Sequence, residues 1–136
     1  MANLTITAAS VAAGSNAALV NQYLAGATIT QGQAVYVDST TNTVMLADAD
    51  VLASSAATGV ALNAASIGQP ITYQRYGNIT IGATVAVGVA YYVSTTAGSI
   101  CLESDLATGD FPHFLGFATS TTVIALDPKA CGVAKA

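Results

Sequence analysis

Alternating apolar and polar residues mark most of this chain as β-structure. The stretch Ile71-Thr72-Tyr73-Gln74-Arg75-Tyr76 alternates strictly, which predicts a strand with one buried and one wet face. Gly77-Asn78 reads as a turn, and Ile79-Thr80-Ile81 as a strand pairing back in a hairpin. β-Branched and aromatic runs at Val35 to Asp38 and Tyr91 to Ser94 predict further strands. Each is followed by turn residues, Thr40-Thr41-Asn42 in one case and Thr96-Ala97-Gly98 in the other. Val44 to Leu46 and Ile100 to Leu102 return from those turns. Polar, alanine-rich excursions follow both, Asp48 to Thr58 and Glu103 to Pro112, each compatible with a helical turn. Gly-led strands come next, Val60 to Leu62 and Phe117 to Thr119. Val123 to Leu126 makes a last strand, ended by Asp127-Pro128.

The parallel wording of these segments reflects an internal repeat. Sliding the chain until Gly26 falls on Gly82 also matches Ala27 with Ala83, Thr28 with Thr84, Ala34 with Ala90, Tyr36 with Tyr92 and Val37 with Val93. The match continues to Leu46 with Leu102, and after one extra residue Gly59-Val60-Ala61 meets Gly116-Phe117-Ala118. Two copies are too few for a solenoid. The expected fold is all-β, a single barrel or sandwich-like domain over residues 26–136, built from two similar units at 26–62 and 82–119. Residues 1–25 lie outside the repeat and form an N-terminal arm. Leu4 to Thr7 reads as a strand, and Ser15 as the cap of a short helix over residues 15–25. Leu19, Val20, Tyr23 and Leu24 then share one side, and Gly26 stops the helix.

The chain's 136 residues fit one domain. Hydrophobic residues make up 53% and charged residues only 7%, against about 25% charged in ordinary soluble domains. A neutral Ser, Thr, Asn and Gln coat is cheaper to desolvate than one of Lys and Glu, so this surface suits burial against other proteins. An unusually neutral or secreted monomer is the alternative. The net charge of −4, with Arg75, Lys129 and Lys135 as the only basic residues, argues against nucleic acid as a partner. No apolar run is long enough for a membrane helix, so no membrane partner is expected. The first residues lack a basic secretory n-region, which points to synthesis and assembly in the cytoplasm. Cys101 and Cys131 allow one disulfide but read more readily as buried thiols in a reducing compartment.

Candidate chemistry is sparse, and the expectation is a protein that is not an enzyme, with no catalytic residues, cofactor or metal. The single histidine, His113, sits in Asp110-Phe111-Pro112-His113-Phe114, a turn entering a strand. A Cys101–His113 dyad is the one nucleophilic pairing available, and these residues do not make a zinc ligand set. Asp48 and Asp50 resemble the start of a calcium loop, but Val51-Leu52-Ala53 follows in place of oxygen donors. Gly14, Gly26 and Gly32 fit no nucleotide-binding spacing and read as turns. Arg75 is the only cation before Lys129 and is flanked by Tyr73 and Tyr76. It serves either as an edge-strand arginine that discourages aggregation or, with the two tyrosines, as an intersubunit contact. Tyr73, Tyr76, Tyr91 and Tyr92 are the residues from which a carbohydrate-stacking platform would be made.

Three segments carry a family resemblance: Met1-Ala2-Asn3-Leu4-Thr5-Ile6-Thr7-Ala8-Ala9-Ser10-Val11, Gly32 to Thr41 leading to Leu46-Ala47-Asp48-Ala49-Asp50, and Gly59 to Pro70. Together they resemble small virion proteins of tailed bacteriophages, closest to capsid decoration, or cement, proteins and their head-fibre relatives. The resemblance implies an all-β homo-oligomer, commonly a trimer, on the outer capsid surface of the virion, with an arm laid on the major capsid protein. The arm implied here is Met1 to about Ala13, with Leu4, Ile6 and Val11 as capsid-contact candidates. Such an arm can add a strand to a capsid edge through backbone hydrogen bonds. A tail or fibre adaptor and a carbohydrate-binding β module are the competing readings.

Overall fold

The computed structural model describes residues 3–130 and 133–135, and among these the alternating pattern is realised as ten strands in one sheet. In chain order they are β1 (Val11–Ala13), β2 (Ala18–Ala25), β3 (Ala34–Asp38), β4 (Thr43–Leu46), β5 (Gly59–Ala61), β6 (Pro70–Ile81), β7 (Ala90–Val93), β8 (Ile100–Cys101), β9 (His113–Ala118) and β10 (Val123–Ala130). The alanine-rich excursions carry the helical turns, α1 at Leu52–Ser55 and a 3-10 turn at Glu103–Asp105. Another 3-10 turn, Ala8–Ser10, precedes β1.

The repeat reappears as strand register. Ala34 pairs with Val60 and Val35 with Gly59 in the first unit; the equivalent Ala90 pairs with Phe117 and Tyr91 with Gly116 in the second. Tyr36 opposite Met45 likewise corresponds to Tyr92 opposite Cys101. The Gly in each third strand, at the start of β5 and inside β9, has one shared cause. A Cβ at Gly59 would run into the Gln74 carbonyl and one at Gly116 into the Ala125 carbonyl, the adjacent strand approaching too closely for any side chain.

Four expectations are corrected, two of them simply: Leu4 to Thr7 forms no strand, and β10 runs through Asp127-Pro128 to Ala130. The hairpin at Gly77-Asn78 does not form, because β6 runs on through it for twelve residues. Gly77 has φ of 93° and a Cβ there would strike the Asn16 carbonyl, so it kinks the strand without reversing it. The kink transfers β6 between neighbours: its first half pairs with β2 and β5, its second with β1 and β10. The buried Gln74 braces this point, its Nε2 donating to the carbonyls of Tyr76 (3.1 Å) and Asn78 (2.8 Å). The helix over residues 15–25 is also absent, and β2 takes its place. Register shifts in β2 lie between Ala18 and Leu19 and between Val20 and Tyr23. They bring Val20 and Tyr23, three apart, onto the same core cluster, which is why the spacing imitates a helix.

In the first unit the pairings return to their start: β2 joins β6, β6 joins β5, then β3, then β4, and β4 joins β2 in parallel. The second unit follows the same path through β6, β10, β9, β7 and β8. There the N-terminal arm takes the closing position. The Leu4 N–H donates to the Ile100 carbonyl of β8 (2.8 Å), the Thr7 N–H to the Gly82 carbonyl (2.8 Å), and β1 pairs with the end of β6. The whole is sandwich-like, with two main cores. Ala25, Ile29, Val35, Val44, Ala61 and Tyr73 fill the first unit; their repeat equivalents Ile81, Val85, Tyr91, Ile100, Ala118 and Ile124 fill the second.

Candidate docking surface

The capsid-contact candidates of the arm are engaged within the chain. Val11 is buried, and Leu4 and Ile6 pack half-buried against the second core. Asn3 adds a polar tie, its Oδ1 accepting from the Ser94 hydroxyl at 2.6 Å.

The intersubunit candidates divide. Tyr73 is 3% exposed inside the first core, whereas Arg75 and Tyr76 are exposed, with the guanidinium carbon 5.3 Å from the Tyr76 ring centroid. Arg75 does not guard an edge, since β6 has neighbours on both sides. Tyr91 is buried and accepts from the Ala86 N–H through its hydroxyl. With Tyr73 and Tyr91 in the cores, the four tyrosines do not share an open stacking platform.

The reactive residues are sealed. Burial pushes the Cys101 thiol up to about 11, and its Sγ lies 3.8 Å from the Val93 carbonyl that it faces. Cys101 is a free, buried thiol, while Cys131 lies outside the described residues. His113 is 3% exposed, and the polar group its ring faces is the Ala57 backbone, so nothing links it to Cys101. Burial drives its pKa down to about 4, with the Ala57 backbone opposing only in part. Asp48 Oδ1 accepts from the Asp50 N–H and the Ser54 hydroxyl, both at 3.1 Å, and so organises its own loop. Among the described residues no three His, Cys, Asp or Glu side chains are grouped to hold a metal ion, and no helix is long and apolar enough to cross a membrane. A groove of about 360 Å³ runs where the arm meets β6, lined by hydroxyl-bearing residues such as Thr5, Thr7, Thr80 and Thr122.

What the surface does present is large apolar side chains in an almost uncharged setting. On the first unit, Leu24 lies opposite the exposed Pro70, and Ile67 stands nearby at 72% exposed. The Gly68 N–H, bonded to the Ala25 carbonyl, ties these segments together. On the second unit an aromatic string crosses the outer face. Tyr92 meets Phe114 edge to face at 5.9 Å, Phe114 meets Phe117 at 5.1 Å, and Phe117 is 54% exposed. Sequence reasoning missed Phe114 and Phe117. The available signal was the mismatch inside the repeat, Phe117 standing where the first unit has Val60. No family model, curated protein or solved structure matches the chain.

Proposed function

We propose that this chain is a structural virion protein that decorates and stabilises a tailed-phage capsid by bridging neighbouring major capsid protein subunits, on the outer surface of a particle assembled in the host cytoplasm. One observation carries the reading: a surface drawn from a chain with 7% charged residues exposes Leu19, Leu24, Ile67 and Phe117 by about half or more. Such a surface loses little on desolvation and gains from contact. Many copies on one lattice turn modest single contacts into firm attachment, and each bridge stabilises the bound shell by mass action. The resemblance of the opening residues and of the Gly32 to Asp50 and Gly59 to Pro70 segments points to the same class.

The arm is already spent on closing the second unit, so the shell contact is assigned to the exposed flank of the first unit around Leu24 and Ile67. Purified protein is expected to co-sediment with undecorated shells at a copy number comparable to that of the capsid protein, and Ile67→Asp to lower occupancy while the protein stays folded. Failure of the wild-type protein to bind shells, or a copy number of only a few per particle, refutes the decoration role.

A further inference from the structure

The two units treat equivalent rows of side chains differently. In the first, Ala34, Val60 and Gln74 lie abreast on β3, β5 and β6, and all three are 0% exposed. Ala34 and Val60 belong to the same core cluster as Tyr91, Ile100 and Leu115, so the neighbouring unit covers this outer row. In the second unit the same positions are Ala90, Phe117 and Ala125, abreast on β7, β9 and β10. There Ala90 and Ala125 are half-buried and Phe117 is 54% exposed. A row covered in one copy of the repeat is open, and more apolar, in the other.

We propose that the Phe117 row is a self-association face, on which a second copy of this chain docks through the same row in a two-fold contact. The relief of the row suits its own image, because a large ring stands between two alanines. In a two-fold arrangement each Phe117 lies over the flat alanine surface of the other copy. The rim is self-complementary in charge. Lys129 is opposite Phe114, hence on the same face, and its Nζ is 3.4 Å from Asp127, both side chains being more than half exposed. A symmetric contact lets each Lys129 meet the other copy's Asp127, whereas a partner of single sign sets a like charge against one of them. Phe114 props the Phe117 ring edge to face and is itself backed by Tyr92, so docking immobilises little that was free. This contact is independent of the virion reading.

Analytical ultracentrifugation of the full chain over a range of concentrations tests it without any shell. The wild-type protein is expected to form a reversible dimer, and Phe117→Asp to weaken it by at least about tenfold while keeping a cooperative melting transition. Phe117→Thr, which keeps a strand-forming residue, gives the same loss and covers the case in which the aspartate variant misfolds. Lys129→Glu alone weakens the dimer, and adding Asp127→Lys restores it, because the exchanged charges again complement each other. A chain that is monomeric at every concentration overturns the proposal, as does an oligomer that both Phe117 variants leave intact.

Discussion

His113 shows how one side chain sets the acid response of the molecule. Its pKa is held near 4 by burial in the folded chain, against about 6.5 when unfolded. Between those values the unfolded chain binds a proton that the folded chain refuses, so stability falls as pH drops from about 6.5 to about 4 and this contribution saturates below. The loss is on the order of 3 kcal/mol across the window. His113→Leu is expected to remove that part of the slope in denaturant titrations run at successive pH values. None of this was legible in the sequence. Asp110-Phe111-Pro112-His113-Phe114 announces a turn and a strand, but whether the ring faces water depends on elements distant in the chain.

At the scale of elements, strands with regular alternation were readable and irregular ones were not. β3, β7 and their returning partners stand where β-branched and aromatic runs placed them, because nothing disturbs their period of two. β2 misled because its register shifts alter that period, and Gly77 misled because a glycine inside a strand carries the same local signal as one in a turn. The kink at Gly77 makes a direct prediction. Gly77→Ala places a Cβ against the Asn16 carbonyl at a positive φ, and thermal or urea unfolding should show a loss of roughly 2–4 kcal/mol. A loss under about 1 kcal/mol would mean that the neighbouring loop yields and the kink is not enforced. The candidate surface was less legible than the strands. Leu4, Ile6 and Val11 were capsid-contact candidates and Tyr73 an intersubunit candidate, yet the burial of each is decided by tertiary contacts that local pattern does not encode.

Across the whole molecule the repeat was visible in the sequence, but the way its copies are joined was not. They are not two beads on a string. β6 serves as the fourth sheet partner of one unit and the opening strand of the next, while the arm, read as an appendage, completes the second. Neither half therefore owns a full set of backbone partners, since a severed strand edge leaves its amides and carbonyls unmatched. Fragments cut at the Tyr76–Gly77 bond should each remain unstructured alone by circular dichroism and regain β-signal on mixing, whereas independent folding of either piece would show that the joint is dispensable. The two similar units are thus interlocked: neither can be excised with its pairings intact, and a mutation at the hinge is felt in both halves at once.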